Sequence, residues 1–456
     1  MDRGTLWAGV LSVWSLLALL LGGCASSDLD PYRRELEARH VVAVDVGPEL
    51  TLTSAPFERL VSTIDSAGTA HVVGVLANLQ IHHITIGLAG TLHDEVVGTM
   101  PPNSNIRRGA LDIVEHPVGT IRIAAGDTEY WRAQSSGDWA HAAGNRCRQY
   151  LVRTASLYCA FVASGEDVGT AARTDVNVVL IFIVPIVWPN VVRPGKLVLA
   201  ELVDESWVVR TAVDPGTNWS ADEADFAAGV DQRDMAHLIF HAWRGGSQFL
   251  MGPSGGGVAG GPSSELRYAR FPLPVDGVRG RDRRDWQEAQ SEKIAPNPRD
   301  RWGLLGHIHD IVGFLPGAGT AINLMSLGDP LCAAPSNWRI NPIPWGTAFL
   351  GDASFELLGI DGCPTLLRIG ADDSRHVLLA TCQGSWTTVC QMAYVRRSGD
   401  GMLAKAMLGG AAAGLPTTLA VGSQGTAFAA WVGRSGKSLV GQWINARPAP
   451  IEVPTD

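Results

Sequence analysis

Hydrophobic residues in this chain come in short runs that end at Asp or Gly, and the ending recurs. The stretch VSTIDSAGTAHVVGV at 61–75 returns in altered form as AAGVDQRDMAHLIFH at 227–241. Asp65 and His71 match Asp231 and His237 at one offset, since 231 − 65 and 237 − 71 both equal 166. In each copy an apolar run ends in Asp, a Gly or Asp follows three positions on, and a His six positions on opens the next apolar run. The first Asp accepts hydrogen bonds from the amides of its own turn, and the Gly or Asp after it tolerates the left-handed backbone a tight reversal needs. Such a pattern predicts a β-hairpin.

Loosening the pattern to a long or ring-bearing residue at the sixth position finds further copies. RIGADDSRHVLLA carries Gly370, Asp373 and His376; AVGSQGTAFAAW carries Gly422, Gly425 and Phe428; VEHPVGTIRIAA carries His116, Gly119 and Arg122. Weaker copies are GLLGHIHDIVGF, with Gly303, Gly306 and His309, and YLVRTASLYCAFV, near Val152 and Tyr158. The starts fall near 65, 116, 152, 231, 303, 370 and 422, a mean spacing of about 60 residues. Downstream of several copies lies a second phrase, an aromatic or His in a short apolar strand before a Gly-bearing turn: IHHITIGLAGTL, TEYWRAQSSGDW, SELRYARFPLP and QMAYVRRSGDGML. Each unit therefore offers four strands. About seven such units predict an all-β fold, a β-propeller of four-stranded blades, with six or eight blades as alternatives and an array of β-sandwiches as the rival architecture. Innermost strands crowd the axis and favour small residues, which FAAGV, TLAVG and LRIGA supply.

Composition agrees with this pattern and narrows the partners. Only 18% of the 456 residues are charged while Gly reaches 52, and long amphipathic helical stretches are hard to find after the first 40 positions. A net charge of −9 argues against a nucleic-acid partner, because phosphate binding requires clustered Lys and Arg. The basic run RGRDRRDWQEAQSEK at 279–293 is interleaved with acidic residues and reads as a solvated insertion between blades.

The N-terminus carries the most specific signal. One Arg in a short polar start precedes an apolar stretch at 6–21 and then Leu21-Gly22-Gly23-Cys24. That site resembles the lipobox of bacterial lipoproteins, which implies lipidation of Cys24, cleavage just before it, and attachment to a membrane through the lipid. The apolar stretch is shorter than the ~20 residues a spanning helix needs. Ala25 and Ser26 follow, without the Asp that marks inner-membrane retention in enteric lipoproteins, so the resemblance favours the outer membrane of a Gram-negative cell. The expected organisation is a signal peptide at 1–23, a lipidated polar tether at 24–45, the propeller at 46–449 and a tail at 450–456. The apolar run at 178–188 is broken by Pro185 and reads as a buried strand pair.

Six further cysteines, an even number, suit disulfides in an exported domain: Cys147, Cys159, Cys332, Cys363, Cys382 and Cys390. Cys382 with Cys390, and Cys147 with Cys159, flank hairpin loops. No C-x-x-C occurs, which leaves a zinc-knuckle or redox reading without support. GPSGG at 252–256 matches the nucleophile-elbow spacing around Ser254, but it sits in a Gly/Pro/Ser loop and not in a strand-to-helix turn. The histidines at the repeat position begin the second strand of a blade, so they are expected to seal blades and not to line the axis. His307, His309 and Asp310 have the spacing of one strand face and form a candidate metal half-site. Nothing else implies a cofactor.

The phrases STIDSAGTAHVVGV and LRYARF resemble the repeats of exported bacterial β-propellers of the NHL-like and sialidase-like kind. The resemblance covers most of residues 50–447, describes blades and carries no active site; 150–220 departs from it. It leaves two functions: a binding scaffold whose loops on one face hold a glycan, peptide or protein, and an enzyme cleaving carbohydrate or ester with carboxylates converging in the funnel.

Overall fold

Strands that are apolar on both faces must be covered on both, and short connections make consecutive strands neighbours. The computed structural model meets both demands with antiparallel meanders stacked face to face. It describes residues 41–444 apart from 102–109, 134–135, 145–146, 154–155, 164–194, 216–219, 231–233, 245–247, 253–254, 260–262, 274–286, 297–310, 317–320, 327–338, 345–355, 358–362, 370–373, 383–388, 398–402, 413–414 and 423–424.

Two short strands, β1 (Val41–Ala43) and β2 (Leu50–Thr53), precede the first blade. Blade one is β3 (Phe57–Ile64), β4 (Ala70–Leu76), β5 (Gln80–Ile86) and β6 (Leu92–Thr99). Blade two is β7 (Leu111–Glu115), β8 (Thr120–Ala125), β9 (Thr128–Ala133) and β10 (Ala140–Ala143). Blade three is β11 (Gln149–Arg153), β12 (Ser156–Ala163), β13 (Lys196–Val203) and β14 (Ser206–Asp214). Blade four begins with β15 (Ser220–Val230) and β16 (Met235–Arg244), inserts the hairpin β17 (Gln248–Gly252) and β18 (Gly255–Ala259), and ends with β19 (Ser263–Pro272) and β20 (Gln287–Pro296). Blade five is β21 (Ile311–Pro316), β22 (Ala321–Ser326), β23 (Arg339–Pro344) and β24 (Glu356–Leu357). Blade six is β25 (Cys363–Ile369), β26 (Arg375–Cys382), β27 (Val389–Arg397) and β28 (Leu403–Ala412), with β1 beside β28. Blade seven is β29 (Thr417–Val421), β30 (Ala427–Val432), β31 (Leu439–Ile444) and, as its fourth strand, β2.

The first strands β3, β7, β11, β15, β21, β25 and β29 each touch the next, and β29 touches β3 again. Among the described residues the chain is thus an all-β propeller of seven four-stranded blades around a closed inner ring. Blades three and four are further joined at their rims, where β14 and β20 pair in parallel from Thr211↔Gln287 to Asp214↔Gln290.

The recurrent Asp/Gly phrase is the turn between the first and second strand of a blade. Gly68, Gly119 and Gly425, each three positions into its copy, have φ of +82°, +79° and +73°, and Asp234 has +60°. In three copies the first residue's N–H bonds the carbonyl four positions on: Asp65 to Thr69, His116 to Thr120 and Gly422 to Thr426, at 3.0, 2.8 and 2.7 Å. The second phrase falls on third strands throughout, namely β5, β9, β19 and β27. The copy expected at 303–309 lies outside the described residues.

The core lies between blades. Blades seven and one share Leu52, Phe57, Leu60, Val72, Ile84, Phe428 and Trp443; blades one and two share Val73, Ile81, Leu111, Ile123 and Tyr130. Close stacking leaves no room for a Cβ at Gly98 of blade one, whose position is taken by the Tyr130 ring of blade two. Cys147 and Cys159 form a disulfide that ties the approach to β11 to β12 across 12 positions.

Ring closure joins the two ends of the domain. β2 pairs antiparallel with β31 (Leu50↔Gly441, Thr51↔Val440, Thr53↔Leu439), and Val46 bridges Ile444. Gly47 N–H donates to the Trp443 carbonyl at 2.9 Å, and Gln442 Nε2 donates to the Gly47 carbonyl at 3.1 Å. Leu52 is the only β2 side chain fully enclosed, at 2% exposure. Leu52→Ala is expected to cost about 2–5 kcal/mol of stability, and removing residues 42–54 to abolish the cooperative melt. An unchanged melting temperature of the truncated chain by circular dichroism would refute closure by this strand.

Candidate functional site at the channel mouth

In an up-and-down blade, the start of the first strand, the second-to-third connection and the end of the fourth strand all lie at one end. The longest second-to-third connections are anchored there: 164–195 in blade three and 245–262, with the β17–β18 hairpin, in blade four. Blade one spans the same gap with 77–79. Arg59 near the start of β3, Asp112 near the start of β7 and Arg148 just before β11 lie at this end of the ring.

These side chains retain some solvent contact, yet burial dominates their titration. Burial, together with the positive charge of Arg148, lowers Arg59 to about 10, with Asp112 acting against the shift. Burial pushes Asp112 up to about 6, against the backbone hydrogen bonds it accepts and the charges of Arg368 and Arg59. Arg368, near the far end of β25 in blade six, is lowered by burial and is held up by Asp112. Three guanidiniums from blades one, three and six thus act electrically on one another or on one carboxylate of blade two.

The inner ring holds these groups in place because first strands splay around the axis and are bridged by side chains. Asp112 Oδ2 accepts from Tyr150 N–H on β11 at 2.7 Å, and its Oδ1 from Ile113 N–H at 2.9 Å. Gln149 gives and takes a hydrogen bond with the Ala228 backbone of β15 at 2.8 and 2.9 Å. Ser62 and Thr418 hydroxyls meet at 2.7 Å between β3 and β29. Glu129 of blade two accepts from Tyr150 Oη at 2.9 Å and from Trp207 Nε1 at 3.0 Å, fixing blade three from the other side.

The repeat histidines are elsewhere. His71, His237 and His376 are buried near the start of second strands, and each meets a ring on the third strand: His83, Tyr268 and Tyr394. In blade one the bonds continue across every strand. His71 Nε2 meets Asp65 at 3.0 Å, its Nδ1 meets His83 Nε2 at 3.0 Å, and His83 Nδ1 meets Glu95 at 3.0 Å. Glu95 in turn receives Arg132 of blade two at 2.6 and 2.8 Å. Burial depresses His83 to about 4, while the hydrogen bonds from His83 and Arg132 hold Glu95 down at about 2 despite its partial burial. This ladder seals one blade and fastens it to the next, the role expected from the repeat position. No group of His, Cys, Asp and Glu able to hold a metal occurs among the described residues.

Of the other sequence candidates, Cys382 and Cys390 stand directly opposite in the β26–β27 register, and Cys390 is in a disulfide. Cys363 begins β25 opposite Ala380. Cys24, Ser254, Cys332, the run 178–188 and the metal half-site His307, His309 and Asp310 lie outside the described residues. Sequence reading missed Arg59, Asp112, Arg148 and Arg368. The available signal was a charge set inside an otherwise apolar first strand, as in FERLVST, LDIVE and LLRIG.

No protein-family model and no curated protein matches the chain. Solved structures share its outline loosely. An ulvan lyase, a polysaccharide lyase, is 10% identical over 86% of this chain and 92% of its own, with a TM-score of 0.45. An α-L-arabinanase of Penicillium chrysogenum complexed with arabinobiose is 9% identical over 88% and 98%, with a TM-score of 0.41. A lectin of Aleuria aurantia in complex with α-methyl-L-fucoside is 9% identical over 78% and 97%, with a TM-score of 0.40. Chemistry does not transfer at such distance.

The two carboxylates titrate in opposite senses. Asp112 binds its proton more readily folded than unfolded, so between about pH 6 and 4 the wild type should gain stability relative to Asp112→Asn as pH falls. Glu95 binds its proton less readily when folded, so between about pH 4.5 and 2 the wild type should lose stability relative to Glu95→Gln. Each slope is at most about 1.4 kcal/mol per pH unit. Denaturant titrations across this range measure both, and parallel curves for wild type and variant would contradict the assignment.

Proposed function

We propose that the chain is an exported, lipid-anchored propeller that serves as a binding scaffold, holding a glycan or a partner protein over the channel mouth. The carrying observation is the placement of Arg59, Asp112 and Arg148 at one level of three neighbouring first strands, where burial shifts Arg59 and Asp112, at the end of the ring from which the longest connections spring. Desolvated groups whose proton affinities are shifted by burial and by neighbouring charges are candidate positions for a functional site. A catalytic role for Asp112 has less support, because both its oxygens accept backbone N–H groups and neither is presented as an acid. Anchoring rests on Leu21-Gly22-Gly23-Cys24. The facing positions of Cys382 and Cys390 support a second hairpin disulfide, as suits an oxidising compartment.

A panel of neutral and charged oligosaccharides, titrated against the full chain in detergent, tests the scaffold. Arg59→Gln and Arg148→Gln should each weaken the best binder by about tenfold or more, with circular dichroism confirming that each variant is folded. Undiminished binding by both variants would move the site away from the channel. Cys24→Ser should shift the protein from the membrane to the soluble fraction of its cell, and continued membrane attachment would end the lipid-anchor reading.

A further inference from the structure

The ladder of blade one ends on a carboxylate at either side, and this fixes the number of protons it needs. Three links run through two imidazoles, Asp65 to His71, His71 to His83 and His83 to Glu95, each at 3.0 Å. The middle link is edge to edge: the ring planes are parallel to within 6° and the centroids are 5.2 Å apart while the nitrogens stand at 3.0 Å. An ionised carboxylate only accepts, and a neutral imidazole donates from one nitrogen and accepts at the other. Two neutral imidazoles therefore bring two protons to three links. In blade six the matching His376 stands between two hydroxyls, Ser374 and Tyr394, and each can donate a proton of its own. Sealing a blade requires only the ring; the two carboxylate ends are what blade one adds.

We propose that the ladder shares a third proton, held on His71 as an imidazolium, and that this proton makes the seam between blades one and two a clasp that alkali loosens. With His71 donating from both nitrogens, His83 stays neutral, donating from Nδ1 to Glu95 and accepting at Nε2. Burial, which depresses His83 to about 4, favours the same assignment. Both carboxyls remain ionised. Burial opposes this at Asp65, but the bonds from His71 and from the Thr69 amide, the latter at 2.7 Å, hold it below its ordinary value. The bonds from His83 and Arg132 keep Glu95 down at about 2. Two carboxylates, one imidazolium and the Arg132 guanidinium then carry no net charge, the least costly state to bury around His71 and His83, which are 4% and 0% exposed. Other charged groups face the ladder from outside it. Glu115 of blade two accepts from Ser66 N–H and Oγ–H at 2.7 and 2.9 Å, exposed His93 on β6 lies 3.9 Å from Glu95, and exposed His141 of blade two packs against Tyr130. Trp139 stands at right angles to His83, with Arg132 over its ring at 4.5 Å.

Without the third proton, two acceptors meet across one of the links and a bond between buried groups is lost. Above about pH 6.5, where the histidines of an unfolded chain are neutral, the folded ladder holds one proton more than the unfolded chain, so stability is lost as pH rises. Asp65→Asn separates this from a purely structural ladder. Its amide donates to His71 Nε2, so two neutral imidazoles complete all three links, while its oxygen keeps the Thr69 bond. Denaturant unfolding of the full chain in detergent should show the wild-type unfolding constant rising, relative to the variant, about tenfold or more between about pH 6.5 and about pH 8.5. Indicator dye in weak buffer near about pH 7.5 should register about one proton more released by the wild type on unfolding. His71→Gln, which removes the seat of the proton, should match Asp65→Asn in both measurements and replaces it if that variant does not fold. A third reading needs neither variant: in wild type with isotope-labelled histidine, ring-nitrogen NMR near neutral pH should show one imidazole protonated on both nitrogens and coupled through its hydrogen bond to a second. Parallel unfolding curves without excess proton release would overturn the proposal, as would ring nitrogens that show this pair as two neutral imidazoles.

Discussion

Everything in this molecule depends on the ring being closed. A single four-stranded blade has two apolar faces and cannot cover either by itself; each face is buried only against the next blade. Seven blades in a row would still leave the outer faces of the first and last bare, together with unpaired strand edges. Pairing of β2 with β31 joins residues nearly 400 positions apart into one blade and brings Leu52 into the same cluster as Phe57, Phe428 and Trp443. Because the core consists of inter-blade clusters, loss of this latch exposes a face on each side of the seam and not merely one strand.

The same geometry creates the channel and its chemistry. First strands point along the axis but splay too far for backbone ladders between them, so their cohesion comes from side chains: Ser62 with Thr418, Asp112 with the Tyr150 amide, Gln149 with the Ala228 backbone. Polar residues are thus required on the innermost strands. Asp112 is one of them, and it clamps blade two to blade three through the Tyr150 amide.

Polar bonding in the outer parts of the blades is structural by contrast. The ladder from Asp65 through His71 and His83 gives the buried imidazoles a partner on both sides and runs out to half-buried Glu95 and Arg132. Histidine suits that position because its ring buries like an apolar side chain while two nitrogens link strands on either side. Tyr268 and Tyr394 take the place of His83 in other blades, so the requirement is a hydrogen-bonding ring and not a particular titration.

The sequence by itself determined whatever depends on neighbours along the chain. The left-handed residues at Gly68, Gly119, Asp234 and Gly425 impose tight turns, and turns plus alternating apolar runs impose four-strand meanders; hence the blade repeat, the placement of His71 in a second strand and the hairpin flanked by Cys147 and Cys159 were all legible. The channel cluster was not legible. Arg59, Asp112, Arg148 and Arg368 belong to four blades, and a lone charge in an otherwise apolar segment does not say which distant charges stand near it. Only the closed ring, by setting all first strands around one axis, brings them within electrostatic reach, and only burial in that shared space gives them altered proton affinities.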